Sequence, residues 1–302
     1  MKTSRGIRSF VVFSVMCVIT GFEVPLFSQA GGEDVVIGKT VIFKSEILDR
    51  DVNLQVRLPI GYETSDSDYP VLYDLNAFFC FTFDSGTVDI LSGSSDIPDM
   101  IVVGLPPLPN GYVPTALESR GETPSGADLS IRFLEEELIP YVEKNYRSNT
   151  FRILYGHSVG GLFTMYTLFS HPELFTAYIA GSPWFQVNDQ YWLKNIDKMA
   201  PEKSFPDKFL FMTVGKQEDT LTIDTYKELE KWMNSRSLKG LAWKSAWLEG
   251  DHGSMVGRNI YDGLVFIFDG WKISNSLLVN ADVDGIDKQI KTNTAKWGKY
   301  GL

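Results

Sequence analysis

The stretch that decides the fold is Phe151-Arg152-Ile153-Leu154-Tyr155-Gly156-His157-Ser158-Val159-Gly160-Gly161-Leu162-Phe163. It runs from an apolar strand through Gly-x-Ser-x-Gly into an apolar helix, which is the layout of a nucleophile elbow. Such a turn points Ser158 away from the sheet, and Gly156 and Gly160 leave room for the tight backbone crossing. It also places the N–H of Val159 at a helix N-terminus, where it can stabilise an oxyanion. The alternative is an ordinary strand, turn and helix whose glycines serve packing alone.

The residues on either side of this turn strengthen the interpretation. At average glycine usage, Gly-x-Ser-x-Gly would occur by accident in about one chain in ten of this length, so the pentapeptide alone is weak. Ile153 to Tyr155 has the pattern of a short buried strand. After the turn, apolar residues recur at helical spacing, at Leu162, Phe163, Met165, Tyr166 and Phe169. A strand before the motif and a helix after it are what an elbow requires.

The first thirty residues have the features of an export signal rather than of a folded domain. A positive segment carries Lys2, Arg5 and Arg8, a mostly apolar run extends from Ser9 to Thr20, and Ser28-Gln29-Ala30 offers a small-x-small cleavage site. This pattern predicts a Sec-type signal peptide over residues 1–30, cleaved after Ala30. An uncleaved membrane anchor is the alternative, but the apolar run is short for a span. We expect residues 31–302 to form one domain that is periplasmic or secreted, without membrane contact after cleavage.

The composition fits a globular chain and excludes several classes of function. Of the 302 residues, 44% are hydrophobic, which is ample for a sizeable core. Loss of residues 1–30, with three basic residues and one acidic residue, changes the formal net charge from −10 to −12, which argues against nucleic acid as a partner. Cys80 is the only cysteine outside that segment, so no intrachain disulfide is possible. Three histidines and one cysteine give no zinc-type cluster, and we expect neither a metal nor a cofactor.

Segments with strand patterning alternate with helical ones along most of the chain. The predicted strands are 40–47, 52–58, 70–73, 100–104, 153–155, 177–180, 208–214 and 242–248. The predicted helices cover 85–91, 129–146, 162–169, 223–232, 254–271 and 283–297. The first two strands read as an antiparallel hairpin. The later alternation predicts an α/β fold with a mostly parallel, eight-stranded sheet and helices on both faces.

Two segments are candidates for the rim or wall of a substrate pocket. The loop 105–128 is long, rich in Pro and Gly, and leaves the carboxyl end of a strand, where open α/β sheets bind ligands. We expect it on the pocket rim, and an excursion without substrate contact is the alternative. Trp184, Phe185 and Trp192 could wall an acyl or aryl pocket, whereas the other interpretation is that these aromatic side chains belong to the core.

The remaining catalytic candidates follow from the chain order Ser, acid, His that this arrangement needs. His252 comes directly after the last predicted strand, where its Nε2 could take the proton of Ser158. The preceding strand is followed by Glu218 and Asp219, and we favour Glu218 as the acid with Asp219 in reserve. An unused carboxylate would be a solvated charge or a helix cap. His157 and His171 have structural interpretations, since one should leave the turn in another direction and the other lies at a helix end.

A second oxyanion donor is expected beside the N–H of Val159. In this layout it comes from the loop after the third strand, which points to a backbone N–H of Ala77 or Phe78. One such donor typically lowers the barrier by about 3 to 4 kcal/mol.

Several segments resemble one branch of a known superfamily. They are Pro70-Val71-Leu72-Tyr73, Phe133-Leu134-Glu135-Glu136-Glu137-Leu138-Ile139-Pro140-Tyr141-Val142, Gly156-His157-Ser158-Val159-Gly160-Gly161-Leu162-Phe163, His171-Pro172-Glu173-Leu174-Phe175 and Gly181-Ser182-Pro183-Trp184. Together they are similar to the esterase D-type branch of the α/β-hydrolases, over most of residues 40–272. That branch includes siderophore (enterobactin-type) esterases, feruloyl and acetyl xylan esterases, S-formylglutathione hydrolase and mycolyltransferases. The siderophore-esterase subgroup is the most similar.

The resemblance implies an α/β-hydrolase fold with a catalytic site of Ser158, His252 and Glu218. The chain departs from the family pattern at two places. The family's Leu-Asp-Gly after the third strand is Leu75-Asn76-Ala77, and its Arg-x-x-Asp segment after the fourth strand is replaced by residues 106–111.

The residues and the resemblance together predict an exported serine carboxylester hydrolase that works through an acyl-enzyme. The substrate would be a small-molecule or glycan-linked ester: a siderophore ester or lactone, or, as the alternative, a feruloyl or acetyl xylan ester. A thioesterase or acyltransferase would use the same residues. The alternative from another class is a non-catalytic binding module that kept a hydrolase scaffold.

Overall fold

Eight strands form a single sheet in the computed structural model, which describes residues 34–108, 111, 113–114, 126–199 and 204–302. The strands are β1 Lys39–Ser45, β2 Arg50–Arg57, β3 Tyr69–Asp74, β4 Ile101–Gly104, β5 Ser148–His157, β6 Ala177–Gly181, β7 Lys208–Gly215 and β8 Leu241–Leu248. Their order across the sheet is β1-β2-β4-β3-β5-β6-β7-β8. The prediction of an eight-stranded sheet is confirmed.

The sheet is parallel except at one edge. β1 pairs antiparallel with β2, and β2 pairs antiparallel with β4. All pairs from β4 through β3, β5, β6 and β7 to β8 are parallel. The carboxyl ends of these six strands therefore meet at the same edge of the sheet, and the loops that follow β3, β5, β6, β7 and β8 can converge on one site.

The helices lie on both faces of this sheet, as predicted. They are α1 Ala77–Gly93, α2 Gly126–Arg132, α3 Ile139–Asn145, α4 Val159–Ser170, α5 Val187–Lys194, α6 Ile196–Met199, α7 Thr220–Asn234, α8 Val256–Ile267, α9 Asn275–Val279 and α10 Val283–Trp297. A π-helical segment, Phe133–Leu138, joins α2 to α3. In the described part of the chain there are also two 3-10 turns, at Tyr62–Thr64 and Gly298–Tyr300.

The predicted helix at 85–91 begins eight residues earlier than expected, at Ala77. Its first turns carry Phe78, Phe79 and Phe83, whose side chains are all exposed. Apolar residues on the solvent side remove the 3.6-residue alternation on which the sequence prediction depends. Helix α1 therefore starts directly after the loop that follows β3, and its N-terminus reaches the carboxyl edge of the sheet.

The π-helical segment between α2 and α3 ends just before Pro140, which lies in the first turn of α3. A proline inside an α-helix has no N–H to donate and its ring crowds the carbonyl one turn earlier. The wider π turn accommodates this, and the N–H of Ile139 bonds the carbonyl of Leu134, five residues back. The predicted helix over 129–146 is thus one helical run with a local change of pitch.

Two apolar clusters cover the two faces of the sheet. Neighbouring residues of one strand belong to opposite clusters, as the two-residue period of a strand requires, with Leu72 beside Tyr73 and Ile153 beside Leu154. Phe163 of α4 packs in the first cluster, and Leu264 of α8 packs in the second. The sheet is therefore buried on both sides, which fits a mostly parallel sheet.

Two predictions fall outside the described residues. The signal peptide over 1–30 lies wholly outside them, and so does most of the loop 105–128. Among the residues that the structure describes, no helix is long and apolar enough to cross a membrane.

Candidate active site

Ser158 lies at a sharp turn between β5 and α4. Its backbone has φ 59° and ψ −120°, a left-handed conformation that a side chain rarely adopts and that costs about 1 to 3 kcal/mol. Backbone hydrogen bonds hold the turn, because the N–H of Ser158 bonds the carbonyl of Gly181 at 2.9 Å and its own carbonyl accepts from Trp184 at 3.0 Å. The end of β6 and the loop after it thus fix the turn that carries the serine.

Two glycines permit this crossing of strand and helix. A Cβ on Gly156 would lie 2.2 Å from the carbonyl oxygen of Gly160, and one on Gly161 would lie 2.7 Å from that of Gly181. Both distances are impossible for a side chain. Apart from the backbone of its own helix, the atom nearest to a Cβ on Gly160 would be the Cβ of Leu75 at 3.5 Å, an ordinary van der Waals contact. The close approach therefore depends on Gly156, as expected, and on Gly161, which the sequence analysis did not single out.

His252 and Glu218 form a hydrogen-bonded pair on two neighbouring loops. Nδ1 of His252 lies 2.9 Å from Oε2 and 3.1 Å from Oε1 of Glu218. The Glu218 side chain is 2% exposed and that of His252 is 43% exposed, so the acid is buried behind an accessible imidazole. Such a pair fixes the ring with Nδ1 protonated and leaves Nε2 available as a base.

The backbone joins these two loops to each other. The N–H of Lys216 bonds the carbonyl of Leu248 at 2.8 Å, and the N–H of Gln217 bonds that of Gly250 at 3.0 Å. Both bonds continue the pairing of β7 with β8 beyond the strand ends. The relative position of Glu218 and His252 is consequently set by the sheet.

Ser182 is a contact of the acid that sequence reasoning missed. Its hydroxyl is fully buried and donates a hydrogen bond to Oε1 of Glu218. The residue has φ 37°, which turns the chain just after β6 toward the acid. The only available signal was its place in the Gly181-Ser182-Pro183-Trp184 segment, since the contact joins residues 36 positions apart.

Asp219, the reserve acid, has a different position. Its carboxylate is the N-cap of α7 and accepts hydrogen bonds from the N–H groups of Leu221 at 3.0 Å and Thr222 at 3.1 Å. A hydrogen bond from the Thr222 hydroxyl, supported by its N–H, lowers the pKa of Asp219. Its oxygens are therefore engaged in capping, and Glu218 is the carboxylate that reaches His252.

A cavity of about 550 Å³ brings the candidate residues together. Its lining residues are Ser158, Trp184, Gln186, Gln217, Glu218, Asp219, Thr222, Asp251, His252 and Gly253. Of the three expected pocket aromatics, only Trp184 lines it, with 41% of its surface exposed. Phe185 and Trp192 are buried in the core, where their rings stack 5.3 Å apart. Placement in the core, the alternative interpretation, fits these two residues.

Two helix N-termini meet beside Ser158. Val159 is the first residue of α4, and Ala77 and Phe78 are the first two of α1. The N–H groups of a first helical turn have no partner within the helix and favour negative charge. The side chain of Asn76 joins the two ends, because its Oδ1 accepts the N–H of His157 at 2.9 Å. The expected oxyanion donors are thus held on neighbouring segments.

Two buried acids support the loop that leads into α1. Asp74 and Asp84 are both fully buried, and Oδ1 of Asp74 accepts the N–H of Asn76 at 2.8 Å. Burial raises the pKa of Asp74 to about 6. Burial, together with the charge of Asp74, raises the pKa of Asp84 to about 10. The pair therefore keeps at least one proton at neutral pH.

No group of three or more His, Cys, Asp or Glu residues in the described part of the chain has the arrangement of a metal site. A larger cavity of about 830 Å³ lies by the C-terminal helices and is lined by Trp271, Lys272 and Asn293 among others. It contains none of the residues predicted to take part in catalysis.

Comparison with known proteins agrees with this arrangement. The family model Esterase, described as "Putative esterase", matches residues 45–261, which contain the elbow and both loops of the His252–Glu218 pair. The chain belongs to this esterase family. The match ends in α8, so α9 and α10 lie beyond it.

Individual relatives of this esterase-family chain carry more specific names. Ferri-bacillibactin esterase BesA of Bacillus subtilis is 38% identical over 94 residues, which are 28% of this chain and 32% of the relative. The siderophore enterobactin esterase of Emericella nidulans is 26% identical over 174 residues, 48% of this chain and 57% of the relative. The chain therefore matches less than two thirds of the length of each of these two relatives.

A solved structure extends the likeness over nearly the whole chain. An IroE-like serine hydrolase from Shewanella oneidensis superposes with a TM-score of 0.73 at 25% identity, and covers 86% of this chain and 88% of its own. This structure and that of the BES protein from Bacillus cereus, with a TM-score of 0.69, confirm the predicted α/β-hydrolase type of fold.

The two neighbouring carboxylates should respond differently to neutralisation. We expect Glu218→Gln to lower kcat for an ester substrate by about 10⁴-fold, because the amide would favour the wrong tautomer of His252. Asp219→Asn should keep most of kcat, since an amide oxygen can still cap α7. Steady-state kinetics and thermal unfolding of both variants test this. If Asp219→Asn suffers the larger loss of kcat, the acid is misassigned.

Proposed function

We propose that the protein is a serine carboxylester hydrolase that works through an acyl-enzyme. The observation that carries the proposal is the hydrogen-bonded pair of His252 and Glu218 on the same cavity as Ser158, which lies at a strained turn. Membership of the esterase family supports ester hydrolysis, and the serine hydrolase from Shewanella oneidensis supports a serine nucleophile.

Acylation begins with proton transfer from Ser158 to His252. Nε2 of His252 accepts the proton while Oγ of Ser158 attacks the ester carbonyl carbon. Glu218 stabilises the imidazolium that results, and it stays ionised throughout. The buried hydroxyl of Ser182 keeps the carboxylate of Glu218 oriented by donating to the oxygen Oε1.

The tetrahedral intermediate places a negative charge on the former carbonyl oxygen. Backbone N–H groups of Val159 and of Ala77 or Phe78 stabilise it, since they open α4 and α1 and have no partner in those helices. Collapse of the intermediate breaks the bond to the alcohol oxygen, which takes the proton from Nε2 of His252. Water then attacks the acyl-enzyme, His252 takes its proton, and the acid product leaves as Ser158 recovers its hydrogen.

We propose siderophore esters or lactones as the substrate class. The names of the Bacillus subtilis and Emericella nidulans relatives support this class. Aromatic surface near the site also supports it, because Phe78 at the start of α1 is 58% exposed and Trp184 on the cavity wall is 41% exposed. Exposed rings of this kind can stack on aromatic groups of a ligand.

We also propose that the mature chain acts outside the cytoplasm. The basic, apolar and small-residue segments of residues 1–30 support export by a Sec-type signal.

The nucleophile is tested with the chain from Gly31 onward and simple activated esters. We expect hydrolysis of p-nitrophenyl acetate and butyrate, and Ser158→Ala should reduce it by about 10⁶-fold, which is to background. A fluorophosphonate probe should label one residue, Ser158, identified by mass spectrometry. An unlabelled wild-type protein without turnover would contradict the proposal and favour a binding module on a hydrolase scaffold.

The substrate class is tested by comparing esters under the same conditions. We expect higher kcat/KM for a catecholate trilactone, free or iron-loaded, than for methyl ferulate or acetylated xylan. Trp184→Ala should raise KM for the trilactone more than for p-nitrophenyl acetate, since the small ester has no ring in its acyl group. A preference for ferulate or acetylated xylan would instead assign the carbohydrate-esterase alternative.

Export is tested by expressing residues 1–302 in a bacterial host with an intact Sec pathway. The exported protein should begin at Gly31, as judged by intact mass and N-terminal peptide mapping. Ala30→Glu should leave the precursor unprocessed, because the small-residue cleavage site is lost. A full-length chain that stays in the cytoplasm would contradict this proposal without affecting the esterase assignment.

A further inference from the structure

His157 precedes the serine but takes no part in the steps above. Its ring is buried, with 7% of the residue exposed, and lies beside the ring of His252 with centroids 4.5 Å apart and planes at 48°. The sequence alone assigns this histidine no role, and predicts only that its side chain leaves the turn in another direction. The structure shows that the side chain of His157 extends toward His252 and packs against its ring.

A hydrogen-bonded chain of two buried polar side chains ends on the His157 ring. The hydroxyl of Thr213 on β7 donates to Oδ1 of Asn259 at 2.7 Å, and Nδ2 of Asn259 donates to Nδ1 of His157 at 3.2 Å. Thr213 and Asn259 are fully buried. Because Nδ1 accepts this bond, it carries no hydrogen, and a neutral His157 must hold its proton on Nε2.

The His157 ring lies against His252, and because Nδ1 is engaged by Asn259, Nε2 is the nitrogen available to the His252 backbone. Burial, together with the charge of His252, lowers the pKa of His157 to about 3, although a hydrogen bond to the His252 backbone acts in the opposite direction. His157 is thus neutral in the range where an esterase of this kind works. A neutral His157 does not repel the imidazolium that forms on His252. A protonated His157, with its ring centroid 4.5 Å from that of His252, would destabilise this imidazolium.

The backbone of β6 leaves space for this chain of groups. A Cβ at Gly181 would lie 2.0 Å from Nδ2 of Asn259 and 3.1 Å from Nδ1 of His157. No other residue type at that position allows Asn259 to reach the histidine. The carbonyl of Gly181 also accepts the N–H of Ser158. Gly181 therefore contacts both the serine turn and the Asn259–His157 pair.

We propose that His157 is a positioning residue for His252. The Thr213–Asn259 pair fixes its tautomer, and its Nε2–H then holds the backbone of the loop that carries the catalytic histidine. The inference rests on the proposed serine esterase mechanism. It differs from packing alone because it requires a hydrogen-bond donor at the Nε2 position and an uncharged ring.

The donor requirement is tested with two replacements of similar length. We expect His157→Met to lower kcat by about 10²-fold, a loss typical of a catalytic group displaced by roughly 1 Å, with KM little changed. His157→Gln should recover most of this loss, because its amide N–H can bond the His252 backbone. The rate of fluorophosphonate labelling of Ser158 should follow kcat, and thermal unfolding checks that both variants fold. Equal losses in the two variants would overturn the proposal.

The tautomer is tested without any activity measurement. The chain has three histidines, so imidazole ¹⁵N spectra can be assigned with His157→Gln and His171→Gln. In the wild type we expect His157 to show an unprotonated Nδ1 and a protonated Nε2, unchanged between pH 5 and 8. Asn259→Leu should mix the two tautomers and lower kcat. A protonated Nδ1, or a His157 that titrates in this range, would overturn the proposal.

These measurements separate the two proposals. If the wild type neither turns over esters nor labels at Ser158, the esterase mechanism fails, and with it the positioning role. If the wild type is active but His157 has the other tautomer, only the positioning role fails.

Discussion

The site depends on the backbone turn at Ser158, which is unfavourable by itself and must be held from outside. Its φ of 59° is stabilised by the bond from the Ser158 N–H to Gly181 and by the bond from Trp184 to its carbonyl. Gly181 is the last residue of β6 and Trp184 lies in the loop after it, so the neighbouring strand and its loop compensate for the strain. The absence of a side chain at Gly156 and Gly161 allows the approach. A parallel sheet makes this possible, because β5 and β6 end at the same edge.

The base and the acid depend on the same edge two strands further along. Pairing of β7 with β8 continues into the loops through Lys216 and Gln217, and so fixes the distance between Glu218 and His252. The acid is nearly fully buried, which strengthens its interaction with the imidazolium and keeps water from competing for its oxygens. Asp219, the next residue, has a structural task instead, since it caps α7 and so holds the loop from which Glu218 projects.

Much of this arrangement could be predicted from local sequence, and the rest depends on contacts that local sequence does not contain. Strand periodicity and glycine placement were enough for the sheet, the elbow and the positions of His252 and Glu218 after consecutive strands. The start of α1 was wrong because exposed phenylalanines hide its period. Phe185 and Trp192 are residue types that suit a pocket wall, but their identity alone does not show that their rings stack on each other in the core. The Ser182 contact and the Asn259 contact join residues 36 and 102 positions apart.

Burial limits how much charge lies close to the reacting serine. His157 is kept uncharged beside the ring that must become a cation. The Asp74 and Asp84 pair retains a proton beneath the loop whose N–H groups face an oxyanion. Each of these groups that stays uncharged removes a repulsion with a like charge formed in the reaction, and such repulsions are larger in the low-dielectric interior than in water. Glu218 is the exception, because its negative charge is the one that stabilises the imidazolium. Near neutral pH, the Asp74 and Asp84 pair therefore places one negative charge rather than two beneath the oxyanion donors, and His157 adds no second cation beside His252.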